Sequence, residues 1–455
     1  MIMHFIRLMF VLSFTNIYAT QEFTWQVIDN YLTNKNLYIY KALGKKDVAQ
    51  EQLNFNKGMY DTQLIGKYDE KDYLTGYGLY YDLSLKKPTE FGIDLSLGYR
   101  YSDGIQDYNN IKTDKNGELI LGVKIPLISV LNKIDERRFR VNLAKMNLKK
   151  TKFQYNETMR DFYFNLMTSY FTLLYKVEIE KLFENILYKM KERKDFLKRS
   201  VEKGNLPHIV LLEAKQQVLH AKQNYISVRR DSTNKLVEFL KYLNISYKEF
   251  KTNYHLPNLP DTKQINFNFN KALEIAIENR PEFKILRLEK EKLILENKNN
   301  EINKYPKLDI GINGIYNENE KSGFKVSLNM NFPLAQSQYK AKSAEIKKSV
   351  KVIKNEKDLQ LVELKSDLSN IINSLHLIVE SITNSQEERK LLQELEKLEK
   401  RKYQLGSSTL FMLNQRETLT VQSEVKLLEY KLQYQLLYQV YKRVINSKND
   451  FFNNI

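Results

Sequence analysis

Glycine is confined almost entirely to two zones of this chain, about residues 58–126 and 304–335, and the long stretches outside them carry almost none of it. From Val123 to Ile310 the only glycine is Gly204, beyond Gly323 the only one is Gly406, and no proline follows Pro333. Stretches so free of breakers read as long helices, and the glycine-bearing zones must be something else. A helix of roughly 65 residues is about 100 Å long at 1.5 Å per residue. Rods of that length have no place in a single globule. They suit coiled-coil hairpins that bury apolar stripes on one another and on neighbouring subunits.

The order of elements repeats. In the first half (20–243) a helical stretch over 25–54 leads into a strand zone ending at Ile125-Pro126-Leu127. A long helix over 135–202, the turn KGNLPH and a helix over 209–243 follow. In the second half (269–447) a helix over 270–303 leads into a β-hairpin over 306–334 ending at Phe332-Pro333-Leu334. A long helix over 341–404, the turn LGSST and a helix over 410–447 follow. Leu211 and Leu413 each lie seven residues beyond the turn glycine, Gly204 or Gly406. A polar linker or small side (equatorial) domain over 244–268, carrying Pro257 and Pro260, joins the halves, and 448–455 is a short tail. Two stripes read as coiled-coil core: Leu182, Ile186, Tyr188, Met190 and Phe196 in one, and Leu391, Leu395, Leu398 and Leu405 in the other.

The strand zones alternate apolar and polar residues with period two, which puts one set on each face of a sheet. Phe91, Ile93, Leu95, Leu97, Tyr99 and Tyr101 form one such series, Leu119 to Ile125 another, and Val326, Leu328 and Met330 lie in a third from Phe324 to Phe332. A half-buried soluble sheet gives the same alternation. Runs of 9–11 residues with tyrosines near their ends suit tilted membrane strands, and Phe91, Ile93, Leu95, Leu97, Val326, Leu328 and Met330 are then the lipid-facing set. A membrane sheet must close on itself. Four or five strands, with Tyr77–Leu85 as the uncertain one, are too few for one chain to close, whereas three chains at four strands each give twelve.

The first 19 residues, with Arg7, an apolar run from Leu8 to Phe14 and a small residue at Ala19, have the layout of a secretory signal, too short to span a bilayer. The chain has no cysteine, hence no disulfide and no thiol for a lipid anchor. A net charge of +17 invites a nucleic-acid reading. The 72 basic residues, however, interleave with 55 acidic ones along helices, the pattern of a solvated helix face. No histidine pair, nucleophile motif or phosphate-binding loop points to catalysis, a cofactor or a metal.

On these residues the chain resembles the TolC-like outer-membrane efflux proteins over essentially its whole mature length. Asn279-Arg280-Pro281-Glu282-Phe283 is similar to the family's RPEL signature, and the two Pro-Leu pairs to its exits from barrel to helix. Gly204…Val210-Leu211…Ala214-Lys215 and Gly406…Met412-Leu413…Gln415-Arg416 resemble its paired helix–turn–helix tips, whose expected docking residues are Gly204, Leu206, Leu211, Gly406 and Leu413. The resemblance implies a mainly α protein with a shared membrane β-barrel and a homotrimer with an α-helical periplasmic tunnel. It also implies docking through the tips onto a periplasmic adaptor of an inner-membrane exporter, which supplies the energy. Family members close the periplasmic end with a tyrosine, an arginine and aspartates near the tips. Here Tyr403 holds the tyrosine position, Ser408 that of the arginine, and Val210, Met412 and Gln415 those of the aspartates. The expected aperture is therefore an iris closed mainly by apolar contacts of Val210, Met412 and Tyr403; the other reading is that these residues simply pack between helices. The other readings are a periplasmic coiled-coil scaffold without a barrel, soluble without detergent, and a cytoplasmic nucleic-acid-binding or cytoskeletal rod with an intact N-terminus.

Overall fold

The computed structural model describes residues 20–446 apart from 75, 105–112, 114, 133–134, 263–266 and 320. The expected signal sequence and C-terminal tail lie outside these residues. In chain order the elements are β1 (Gln21–Glu22), α1 (Trp25–Tyr31), α2 (Leu37–Lys57), β2 (Gln63–Tyr73), β3 (Gly76–Pro88), β4 (Asp94–Gly104) and β5 (Glu118–Pro126). Then come α3 (Leu127–Leu131), α4 (Glu136–Glu202), α5 (His208–Leu243), α6 (Tyr247–Asn253), β6 (Tyr254–His255), α7 (Phe269–Asn279) and α8 (Pro281–Glu301). The chain continues through β7 (Lys307–Asn317), β8 (Lys321–Asn331), α9 (Ser337–Gln404) and α10 (Leu410–Ile445).

The chain forms two compact units, and each draws on both sequence halves. One comprises residues up to Tyr40, Arg160–Ala272 and Leu368 onward; the other comprises Lys41–Met159 and Leu273–Asp367. The first unit has an aromatic core. Phe23 is fully buried, with its ring 5.0 Å from Phe250, 4.9 Å from Tyr254 and 6.0 Å from Phe239. Tyr170 donates its hydroxyl to the Phe23 carbonyl at 3.0 Å, which satisfies a polar group that burial would otherwise penalise. The segment expected as a linker or small side domain carries α6 and β6, and β6 pairs in parallel with β1.

The second unit contains the sheet. Its order is β2-β3-β4-β5-β7-β8, an antiparallel meander with six strands rather than the four or five expected. The missed strand is β2, whose second half, Asp69-Glu70-Lys71-Asp72, breaks the apolar alternation. The sheet thus holds two strands more than the four per chain from which a total of twelve was expected. Below the sheet Ala49 and Leu53 of α2 pack on Val141, Ala144 and Leu148 of α4.

The helix expected over 270–303 is two helices. Arg280 is extended (ψ 127°) and Pro281 occupies the first turn of α8. The pyrrolidine ring excludes the residue before it from helical geometry, while its missing N–H costs nothing at a helix start.

Candidate functional site: an apolar-out sheet and paired helical tips

Residues directly opposite each other along the ladders share a face, so the register assigns both faces of the sheet. One row runs Leu64, Leu85, Leu97, Leu121, Gly314 and Phe324 across all six strands; the next runs Gly66, Leu83, Tyr99, Leu119, Tyr316 and Ser322. The opposite face carries the row Gln63, Lys86, Ser96, Gly122, Asn313 and Lys325. The apolar face is the more exposed one. Leu97 is 53 %, Leu121 65 % and Phe324 83 % accessible, whereas Ser96 and Asn313 are half-buried and Gly122 is buried.

The polar face is also the crowded one. A β-carbon added at Gly122 would collide with Ser96 and Asn313, one at Gly311 with Ser327, and one at Gly98 with Ser84. Side chains converge on the concave side of a curled sheet, so small residues there and large ones on the convex side fit a sheet curling toward its polar face. At its helix end that face is laced by charge. Lys86 Nζ lies 3.2 Å from Asp94, Arg137 Nη1 lies 2.6 Å from Asp94, and Lys124 Nζ lies 2.9 Å from Asp309.

The lipid-facing set divides. Leu95, Leu97, Val326, Leu328 and Met330 lie on the exposed apolar face. Phe91 and Ile93 do not sit in a strand: β4 begins at Asp94, and the two flank Gly92 in the tight connection after β3. There Gly92 N–H donates to Thr89 O and Thr89 N–H to Ile93 O. The alternation runs unbroken through this turn in sequence, which is why it read as strand.

The helical tips are built alike. Helix α4 has 67 residues and α9 has 68, and the return helices α5 and α10 have 36 each. Gly204 (φ +73°) and Gly406 (φ +76°) end the long helices in the left-handed conformation. Asn205 N–H donates to Ser200 O at 2.9 Å and Ser407 N–H to Lys402 O at 3.0 Å, the six-to-one bond of a Schellman cap. Three residues after each glycine comes the cap of the return helix. Pro207 makes no side-chain bond there, and Thr409 accepts from Met412 N–H.

Leu197, Ala214 and Leu410 are buried together, and Leu206, Val210 and Tyr403 pack against them. Two of the expected aperture residues, Val210 and Tyr403, thus meet in one cluster although they come from different hairpins. Met412 lies outside that cluster and Gln415 is exposed. Ser408, in the position where the resemblance implies arginine, donates its hydroxyl to the Glu399 carboxylate. Burial pushes the Tyr403 phenol above its ordinary pKa, and the Arg193 cation partly offsets this.

Of the expected docking residues, Gly204 and Gly406 are exposed and Leu206 is half-buried, but Leu211 and Leu413 are buried. Those two leucines hold the tips from inside and offer no surface to a partner. The apolar side chains that the tips do present are Ile209 and Leu212 on one, and Leu405 and Phe411 on the other, the last two being 75 % and 73 % exposed. Their place beside the turn glycines was a readable signal. The leucines taken as coiled-coil core at 391, 395, 398 and 405 are likewise exposed in the single chain.

An ionic clamp above the cluster had no sequence signal. Arg193 of α4 donates from Nη1 to Glu417 Oε2 at 2.8 Å and to Asn414 Oδ1 at 2.7 Å, and from Nη2 to Glu417 Oε1. One helical repeat further along α10, Glu424 accepts from Arg389 of α9 at 3.0 Å. Among the described residues no group of three His, Asp or Glu side chains is arranged to hold a metal ion, and no helix is long and apolar enough to cross a membrane.

No protein-family model matches the chain, and no curated protein matches it by sequence. Solved structures do match. The outer membrane protein VceC of Vibrio cholerae aligns with a TM-score of 0.69 at 10 % identity, over 93 % of this chain and 95 % of its own. The CmeC outer membrane channel of Campylobacter jejuni aligns with a TM-score of 0.66 at 12 % identity, over 92 % of this chain and 84 % of its own. The MtrE outer membrane channel of Neisseria gonorrhoeae, in its open state, gives 0.64 at 12 %, over 92 % and 88 %. The fold is that of these outer-membrane channels.

Proposed function

We propose that this chain is one subunit of a TolC-like outer-membrane channel, a passive conduit in a tripartite efflux or secretion system that carries solutes from a periplasmic pump to the exterior. The observation that carries the reading is the inverted sheet: its apolar face is open, and its polar face is crowded and half-buried across the central strands. In water that arrangement exposes the side chains that burial would stabilise by about 1.5–3 kcal/mol each. In a bilayer it puts them against lipid and leaves the polar face for a water-filled lumen. A periplasmic scaffold without a barrel calls for the reverse.

The matched helix lengths and twin Schellman turns support an internal duplication, and the resemblance supports a homotrimer. The long helices then form the periplasmic tunnel, and the exposed leucines of α9 meet neighbouring copies. In this account Ile209, Leu212, Leu405 and Phe411 are the contacts for a periplasmic adaptor of an inner-membrane exporter. The Val210–Tyr403 cluster and the Arg193–Glu417 clamp hold the periplasmic end shut. The chain performs no chemistry of its own; the exporter drives transport.

The test is extraction of the protein from the outer-membrane fraction in detergent, followed by reconstitution into planar bilayers. Ohmic channels from a stable trimer are expected. A species that leaves the membrane without detergent and does not conduct would sink the proposal.

A further inference from the structure

Among the described residues the sheet of one chain has β2 and β8 as its outermost strands, and β8 is exposed along nearly its whole length. Unpaired backbone donors and acceptors cost several kcal/mol each in hydrocarbon, so a membrane sheet cannot keep an edge. The two edges run in opposite directions, because β2 leaves α2 toward the far end of the sheet and β8 returns from it into α9. Antiparallel pairing of β8 with the β2 of another copy is therefore open to this chain, and it repeats identically around a ring.

Resting on the channel reading above, we infer that the β2–β3 hairpin is part of the membrane wall, so that each copy supplies six staves and three copies close an eighteen-stranded barrel. The hairpin is continuous with the rest of the sheet. The rows through Leu97 and Leu121 run on into β3 and β2 as Leu85 and Leu64 with no break in pairing, and the outward face of β2 stays uncharged through Gly66 and Tyr68 before Glu70 and Asp72 end it.

The apolar band is also tilted against the hydrogen-bond rows. On β8 the apolar run 324–330 centres on Ser327. The residues in line with Ser327 are Gly311, Lys124, Asp94 and Pro88. On β3 the whole run from Tyr77 to Leu85 lies beyond Pro88. The apolar band thus climbs relative to the hydrogen-bond rows, as strands inclined to a barrel axis require. A hairpin folded away from the wall would have no reason to stay in step with it.

The climb also fixes the seam. Taken from β8 to β2, whose outward uncharged run Leu64 to Tyr68 centres on Gly66, it averages roughly one residue per strand, with β3 running ahead of that slope. Carrying it one strand further brings Gly66 of one copy opposite Leu328 of the next, Leu64 opposite Met330 and Tyr68 opposite Val326. All six belong to the outward face.

The chain contains no cysteine, so the full-length protein is a clean background for cross-linking in outer-membrane vesicles. Oxidation of the double variant Leu64→Cys/Met330→Cys is expected to give covalent products that end at three linked copies. The double variant Leu97→Cys/Leu328→Cys, which reports β8 pairing with β4 of a neighbour, should give none. Linkage through the Leu97/Leu328 pair would overturn the inference and leave a four-stave channel standing. Absence of linkage from both pairs, in protein that still conducts, would overturn it too. Protein that neither conducts nor needs detergent would remove the channel reading itself.

Discussion

Arg193 and Glu417, 224 positions apart, face each other through paired guanidinium–carboxylate bonds, and both side chains are about 15 % exposed. Such fork-to-fork pairs are the strong form of the hydrogen-bonded ion pair. This one ties the first long helix to the last helix just above the cluster that joins Val210 to Tyr403.

Glu417→Gln keeps the size of the side chain and removes its charge. It should cost about 1.5–3 kcal/mol of tip stability, the range for hydrogen bonds to charged groups. In a channel closed at its tips the variant should raise resting conductance in planar bilayers. Unchanged resting conductance would mean that the clamp does not hold the closed state.

Leu197 is 1 % exposed and lies at the centre of the tip cluster. Leu197→Ala should destabilise the tips by about 2–4 kcal/mol through lost contacts and a residual cavity. Amide hydrogen exchange should speed up around Gly204 and Gly406 and leave the sheet amides unchanged.

Gly406 and Gly44 make a paired test, since a β-carbon at either meets nothing within 4 Å. Gly406 has φ +76°, so Gly406→Ala should cost about 1–2 kcal/mol of backbone strain. Gly44 lies inside helix α2, where Gly44→Ala should gain about 0.5–1 kcal/mol. Opposite shifts in thermal unfolding are expected.

Tyr403 carries a pH dependence. Its phenol is raised above the ordinary value, chiefly by burial, so the folded tip holds the proton more tightly than the unfolded chain does. The contribution is complete below about pH 10 and is lost as pH climbs toward the raised value. Tip protection from hydrogen exchange should therefore fall on alkaline titration in the native protein, and Tyr403→Phe should lessen that fall.

The helices could be read from sequence because their signal is local. Glycines at 204 and 406 bracket uninterrupted stretches, and the observed α4, Glu136–Glu202, differs by one residue from the expected start. Pro281 was as legible, since the residue before a proline resists helix, yet the apolar periodicity on either side ran through it. The sheet was legible where alternation survived. It failed at β2, where four consecutive charged residues hide a strand that its partner β3 holds in register, and at Phe91 and Ile93, where a turn preserved the alternation. The tips were half legible. Turn glycines announce where a hairpin ends, but which leucines point inward depends on the partner helix. The Arg193 clamp depends on residues of α10, and no spacing rule reaches that far.

The most direct test of the account is the sidedness of β8, read at two consecutive residues. Lys325→Cys and Val326→Cys, each spin-labelled in the cysteine-free chain and reconstituted in lipid, should differ in their collision partners. The label at 326 should relax with oxygen dissolved in the bilayer, and the label at 325 with a water-soluble nickel chelate. Equal access of the chelate to both positions would contradict a membrane wall, and with it the conduit.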